Sequence, residues 1–328
     1  MRAAQSLAVV FVAATFAFLC LQLAPGDPVT ALGEAVPAEV RARLRAIYGY
    51  DDPILTQYVR WLGATLSGDL GWSVAQQRPV VTVLADALPN SLVLIVPGFL
   101  LAVTAGVMLG AWQGMHARSR RDRFTSTILL VLYSIPEFWI ALALLLLFTS
   151  WWPLLPSGGM TDDLYAYMSA GEQWRDRVRH LVLPTLSIAI FDVAALARLQ
   201  RESMMEVLTQ PFVQTARANG LPRWRVMRGA WRASLLPVIT VSGFLLPLNL
   251  AGVVFVEQIF AWPGMGYVLM ASINKRDYAV VAACVIVGAA IMALGSIVAE
   301  TLRELADPRL RVALESRPTD GRRGVPQS

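Results

Sequence analysis

Six stretches, at roughly 6–24, 91–111, 126–148, 181–198, 236–256 and 279–299, are each about as long and as apolar as a segment that must cross a lipid bilayer. A hydrocarbon core about 30 Å thick takes ~20 apolar residues of α-helix. Within it every backbone N–H and C=O has to be satisfied inside the segment. The runs therefore predict an all-α integral membrane protein with six transmembrane helices. Composition agrees, since 56% of the 328 residues are apolar and 16% are charged, against about 25% charged in soluble domains. The first run follows Arg2 and has the outline of a signal peptide. Its length and the weak cleavage site in "CLQLAPGD" favour a retained span.

Six spans put both termini on one side. If Arg198 is counted with the loop it borders, eighteen of the 28 Lys and Arg fall on the side of the termini and ten on the other. The positive-inside rule then predicts cytoplasmic termini, and "HARSRRDR" (116–123) is the sharpest local instance. The expected organisation is an N-terminal span at 1–24 and an outer loop at 25–90. A five-helix core at 91–306 follows, with a cytoplasmic loop at 199–235, then a cytoplasmic tail at 307–328 whose end is expected to be disordered. The outer loop opens on the turn sequence "PGDP" (25–28). Two short amphipathic helices follow, one bearing Val40, Leu44 and Ile47, the other Ile54, Tyr58, Trp61 and Leu62.

Several chemistries are excluded. Cys20 and Cys284 lie in apolar runs and read as packing residues, and His116 and His180 are isolated, so no metal-ligand set is expected. Lys275, the single lysine, stands in "SINKRDY". A P-loop needs Gly-Lys-Ser/Thr, because the lysine reaches the nucleotide phosphates. The chain is thus not expected to hydrolyse ATP, to bind a cofactor or to carry a catalytic residue.

The segment "TQPFVQTARANGLPRWRVMRGAWRASLLPVIT" (209–240) is polar and arginine-rich between two oily runs. Pro211 suits the first turn of a helix, with Thr209 or Gln210 as its cap. Phe212, Val213 and Ala216 share a face, and Gly220 is the natural C-terminal stop. Pro222 opens a second helix that runs through Pro237 into the fifth span, with Arg223, Arg225, Arg228 and Arg232 outside the membrane core. Small residues at Thr215, Ala216 and Ala218 around a glycine would let another backbone approach closely. Equally, the arginines could serve to bind anionic lipid and fix topology.

"QTARANG" followed by "SLLP" resembles the cytoplasmic loop of ABC-importer permeases, with Gly220 matching the family's glycine and Leu236–Pro237 its Leu-Pro. Gln214, Thr215 and Ala216 stand where the family has Glu-Ala-Ala, a departure that bears on individual contacts. The Gly-to-Pro distance of 17 residues resembles the dipeptide/oligopeptide/nickel group. So do "LAPGDPV", "DDPILTQYVRWL", "SGDLGWSVAQQRPV", "LPNSL", "SIPEFWIALALLLLF", "LVLPTLSIAI", "VVFVEQIFAWPGMGYVLMASINKRDYAVV" and "LADPRLR", in order over about 1–313. The resemblance implies a type I ABC importer permease fold in a cell inner membrane. It implies a coupling helix that docks on an ATPase through Phe212, Gln214, Thr215, Ala216, Arg217, Ala218, Asn219 and Gly220. The implied partners are a second permease subunit, two ATPases that bind the ATP and Mg, and an extracytoplasmic substrate-binding protein; membrane lipid is expected and nucleic acid is not. The implied cargo is di- or oligopeptides, or alternatively nickel or a metal chelate.

Acids inside spans are candidates for the path, since a charge at the helix centre costs roughly 2.5–3.5 kcal/mol on insertion scales. Glu137 could line the path or hydrogen-bond backbone freed by Pro136. Asp192 could line it or pair with Arg198. Glu257, with Pro263, Gly264 and Gly266, marks a break read as an outer gate or re-entrant turn, and Trp262 would suit the interfacial aromatic belt. Pro247 and Asn249 interrupt the same span. A stand-alone secondary transporter is the rival class, although no internal repeat is evident.

Overall fold

In the computed structural model, residues 2–23, 37–49 and 51–306 are described. The turn at 25–28, the side chains of Leu44 and Ile47, and the tail from 307 lie outside the described residues. The order is α1 (Arg2–Leu23), α2 (Ala38–Tyr48), α3 (Ile54–Leu66), β1 (Trp72–Ser73), β2 (Arg78–Pro79), α4 (Val80–Met115), α5 (Arg120–Ser134) and α6 (Glu137–Leu145). Then follow α7 (Ala170–Leu208), α8 (Pro211–Ala218), α9 (Arg223–Gly252), α10 (Val254–Ile259), α11 (Met265–Asn274) and α12 (Tyr278–Ala306). Among the described residues, five helices are long and apolar enough to span a bilayer, and the pair α5–α6 makes a sixth, broken span.

The helices outrun the apolar stretches that mark them. α4 has 36 residues and α7 has 39, about 54 and 58 Å at 1.5 Å per residue, well beyond the hydrocarbon core. Apolarity reports only the lipid-crossing part, so the polar ends continue as helix above and below it. The third span departs further from expectation: the run at 126–148 is two helices bent by 100°. Pro136 is the cause, because it lacks an N–H and forces the preceding residue out of the α region. Ile135 sits accordingly at φ −88°, ψ 128°.

What lets the long helices pack is a row of small residues. Gly98, Ala102, Gly106, Gly110 and Gly114 recur every fourth position along α4 and face α7. A methyl added at Gly110 would lie 2.2 Å from the Ala197 carbonyl oxygen, and one at Gly114 would lie 2.6 Å from Met204 Cβ. Lipid tails supply no hydrophobic drive for helix pairing, so van der Waals contact between closely approaching backbones has to supply it. α9 and α12 pair in the same way, Gly243 against Ala299 and Gly295 against Pro247. On the perimeter α1 leans on α12, and Phe18 meets the rings of Tyr58 and Trp61 from α3. Of the face expected on α3, Tyr58, Trp61 and Leu62 are half-buried and Ile54 is exposed.

Away from the arginine-rich segment, the end of the bundle is closed by a buried carboxylate. Glu257 is 0% exposed. Its Oε1 accepts from Ser91 Oγ at 2.6 Å and its Oε2 from the Tyr267 amide at 2.9 Å. Ser91 Oγ in turn accepts from the Met265 amide at 2.8 Å. The carboxylate thus caps the start of α11, where unsatisfied amides and the helix dipole both favour an anion. Trp262, which would have suited the break or the interfacial belt equally, is buried. Its Nε1–H donates to the Asn90 carbonyl at 2.9 Å, while Asn90 Nδ2 donates to the Pro263 carbonyl at 2.9 Å. Nearby Asp277 accepts from Ser73 Oγ and, at 3.0 Å, from the Ala75 amide, pinning the β1–β2 hairpin to the turn before α12.

Gly110→Val should lower the thermal midpoint of the purified protein steeply or abolish its accumulation, with Gly110→Ala milder in the same direction. Gly63→Ala on α3, where an added methyl meets nothing within 4 Å, should leave the midpoint unchanged or raise it slightly. Equal effects at the two sites, followed by fluorescence-detected size exclusion after heating, would remove the close-contact account. Glu257→Ala strands several buried donors, each costing about 1–3 kcal/mol, and should lower the midpoint more than Glu257→Gln, which keeps an acceptor. A Glu257→Ala protein as stable as wild type would refute the clamp.

Candidate coupling surface and membrane polar cluster

At the arginine-rich end, α8 begins as its sequence dictates. Pro211 occupies the first helical position, where its missing N–H costs nothing, and Gln210 holds the extended cap position. The helix stops at Gly220 with φ +71°. The Gly220 amide donates to the Arg217 carbonyl at 3.0 Å and the Leu221 amide to the Ala216 carbonyl at 3.1 Å. Those two bonds are the pair of a Schellman motif, which satisfies carbonyls the helix end would orphan.

The faces of α8 sort differently from expectation. Val213 is buried against Met204, Val226 and Ala230, with Ala216 beside it, whereas Phe212 points away and is 51% exposed. Eight residues allow one inward stripe, and it is set by Val213 rather than by the larger Phe212. Outward lie Gln214, Thr215, Arg217, Ala218, Asn219 and Gly220, all exposed. A methyl added at Gly220 would meet nothing within 4 Å, so the glycine opens onto free surface. Beside α8 a cleft of about 390 Å³ opens between Met115, Leu208 and Met227, with Arg217 and Arg223 on its lining. Arg223, Arg225, Arg228 and Arg232 are all exposed on the start of α9, as expected.

This surface stands on a braced platform. Arg201 of α7 grips Asp122 of α5 with two bonds, Nε to Oδ1 at 2.7 Å and Nη2 to Oδ2 at 2.9 Å. The Arg118 amide adds a third at 2.8 Å, and the Asp122 side chain is 1% exposed. Two-pronged arginine–carboxylate pairs of this kind are geometrically specific as well as strong. Ser234 of α9 accepts from Gln200 Nε2 at 2.7 Å through its hydroxyl and from Ser203 Oγ at 2.9 Å through its carbonyl. α9 therefore leaves α8 tied to α7, then runs as one helix for 30 residues into the bundle, so the interruption expected at Pro247 and Asn249 is absent and both lie within the helix.

Inside the membrane the structure brings three of the four path candidates together. Asn249 of α9 donates from Nδ2 to Asp192 Oδ2 at 2.7 Å. Asp192 does not pair with Arg198, which instead reaches Glu202 at 3.4 Å one turn on; a buried Asp six residues away is on the wrong side of the helix for that arginine. Glu137 lies at the α5–α6 break, within electrostatic range of Asp192. Its carboxylate is 3.7 Å from where a methyl on Gly252 would sit, and it makes no hydrogen bond among the described residues. The expected bond to backbone freed by Pro136 is not formed. Glu257, the fourth, is at the far end in its own clamp. The Asp122–Arg201 pair, whose members lie 79 residues apart, and Ser91, 166 residues from Glu257, carry no local sequence signal. The fourfold spacing of small residues on α4 was a readable signal.

Comparison with known proteins agrees with this architecture. The family described as "Binding-protein-dependent transport system inner membrane component" matches residues 105–312. The oligopeptide transport system permease protein AppB of Bacillus subtilis (strain 168) is 34% identical over 299 residues, covering 89% of this chain and 92% of its own. The di/tripeptide transport system permease protein DppB of Pseudomonas aeruginosa (strain UCBPP-PA14) is 35% identical over 310 residues, covering 90% and 92%. A putative peptide permease protein of Brucella ovis is 34% identical over 300 residues, covering 90% and 92%. With its six spans and the loop it carries between the fourth and fifth, the chain belongs to the family of binding-protein-dependent transport system inner membrane components, the multi-pass permeases of the inner membrane.

Proposed function

We propose that the chain forms half of the translocation pathway of an ATP-driven peptide importer and couples to an ATPase through α8. The observation that carries the coupling reading is the outward face of that helix. It is exposed, carries the small Thr215 and Ala218 and is bounded by Gly220, while Val213 packs the inward face against α7 and α9. A neighbouring backbone can approach such a face closely, and the adjacent cleft with Arg217 and Arg223 suits an acidic group at its mouth. Phe212 adds an exposed aromatic anchor of the kind that dominates interface energetics. The arginine-rich end is then cytoplasmic, with both termini on that side. A second permease, two ATPases carrying ATP and Mg, and an extracytoplasmic binding protein complete the assembly.

The coupling path follows the covalent structure. A displacement of α8 moves the start of α9 directly, and α9 carries Asn249 against Asp192. Closing of the ATPases would therefore be felt at the polar cluster of Asp192, Asn249 and Glu137, which we assign to the path. Glu257 we assign to support of the outer turn. A peptide moves the equilibrium between inward and outward states only by its differential affinity for them. The named relatives are peptide permeases, which favours peptide over nickel or a metal chelate as cargo. Membership in a binding-protein-dependent family likewise speaks against a stand-alone transporter.

Thr215→Arg and Ala218→Arg test the coupling reading better than a change at Gly220, because both positions have ordinary helical backbone and open space. Each should weaken ATPase copurification at least tenfold, about 1.4 kcal/mol, and abolish peptide-stimulated hydrolysis in proteoliposomes. The thermal midpoint of the permease should stay as in wild type. Copurification and stimulated hydrolysis at wild-type levels in both variants would reduce the segment to a topology anchor.

A further inference from the structure

Residues 152–169 join the broken third span to α7, and a short 3-10 turn at Tyr165–Tyr167 is their one piece of regular structure. A connection this long is usually either a binding loop or a disordered one, and this one is fastened along its length. Arg179 Nη2 donates to the Leu154 carbonyl at 2.8 Å, and the Asp162 amide to Asp176 Oδ2 at 2.9 Å. Gln173 Nε2 donates to the Tyr165 carbonyl at 3.1 Å, and the Arg177 guanidinium stands 5.0 Å from the centre of the Tyr165 ring. The Gly159 amide donates to the Phe260 carbonyl at 2.8 Å. That bond sets the loop at the end of the bundle that holds the Glu257 clamp.

The fastened loop nevertheless turns apolar side chains outward. Leu164 is 63% exposed and Tyr167 89%. Side chains three positions apart in a 3-10 turn eclipse, so these two stand on one side. Asp162 and Asp163 beside them are exposed. From 152 to 174 the sequence has three acids, Asp162, Asp163 and Glu172, and neither Lys nor Arg. Segments that lie in a membrane surface combine their apolar groups with Lys and Arg, so this loop has the wrong charge for a lipid headgroup layer. A protein face with an apolar centre and a basic rim fits it. Exposed aromatic side chains anchor such interfaces, and opposite charges at the rim speed and orient association.

We propose that residues 162–167 are the surface on which the extracytoplasmic binding protein docks through a face of that kind, a role that rests on the importer reading above. Docking acts on the outer turn by direct contact. A methyl added at Gly158 would lie 2.8 Å from the Phe260 carbonyl oxygen, so the two backbones touch there and move together. Phe260 is itself buried, three positions after Glu257 and two before Trp262.

The test uses the assembled transporter in proteoliposomes, titrated with its purified, peptide-loaded binding protein while ATP hydrolysis is followed. Leu164→Asp and Tyr167→Asp should each raise the binding-protein concentration for half-maximal stimulation about tenfold, the loss of an interface anchor. Asp162→Asn combined with Asp163→Asn should make that concentration less sensitive to salt than in wild type. Gly158→Ala should lower the maximal stimulated rate severalfold while moving the half-maximal concentration little. A photo-crosslinker in place of Tyr167 should capture the binding protein. Unaltered half-maximal concentrations in both aspartate variants would overturn the docking surface, as would capture of lipid or of the second permease subunit. Unchanged salt dependence would overturn the basic rim, and a wild-type maximal rate in Gly158→Ala would overturn the route through Phe260. A wild-type transporter that its binding protein does not stimulate would overturn the importer reading and the docking surface together, an outcome distinct from any of the variant results.

Discussion

The contact between α4 and α7 is the constraint on which the remaining structure hangs. Both helices are nearly twice as long as the ~30 Å hydrocarbon core is thick, and they run side by side for much of that length. In water such a pair would be driven together by apolar burial. In lipid the drive comes from close backbone approach, which fails wherever a Cβ intervenes. Gly106, Gly110 and Gly114 remove that obstacle toward the arginine-rich end, where α7 continues beyond the apolar run and leads to α8. Because α4 and α7 register there, Arg201 meets Asp122, and Val213 finds a pocket between α7 and α9.

The same rigidity separates the two ends in kind. At the arginine-rich end polar groups point outward from a base braced by the Asp122–Arg201 pair. At the other end Glu257, Trp262 and Asp277 turn inward and spend their hydrogen bonds on tying loops to helices. Between them, Asp192 and Asn249 form one interhelical bond, and Glu137 has no hydrogen-bond partner among the described residues where its span is broken. Interhelical hydrogen bonds of this type are worth only ~0.6 kcal/mol on average within a membrane. A bond that weak can break and re-form as α9 shifts, whereas the clamp around Glu257 has several bonds that would have to break together.

What could be read from the chain was what lipid imposes locally. Bilayer thickness fixes the length of an apolar run, so six runs were visible. Backbone sterics fix Pro211 at a helix start and Gly220 at a helix end, and both stand where those rules put them. The order of short segments from 1 to 313 carried the family. Long-range pairing was not legible in this way: nothing near Asp122 points to Arg201, nor anything near Glu257 to Ser91, because each is chosen by which helices become neighbours. The helix from Pro222 into the fifth span was legible from its proline, but the starts of α4 at Val80 and α7 at Ala170 were not, since polar residues there are free to continue a helix that hydropathy does not mark.

The 100° break at Ile135–Pro136 shows how far one local rule can reach. Proline removes a backbone donor and bends the third span, which puts α6 at an angle to α5 and leaves Glu137 at the first turn of the second half. A continuous helix would carry that side chain along the axis of α5. The break instead brings it beside Asp192 and Gly252, a residue whose lack of a side chain leaves room for the carboxylate. Three spans thus converge on one polar spot through a proline on the third, an aspartate on the fourth and the end of the fifth. This spot and the segment that follows α8 are joined by a single helix, α9, which holds Pro237 and Pro247 within it.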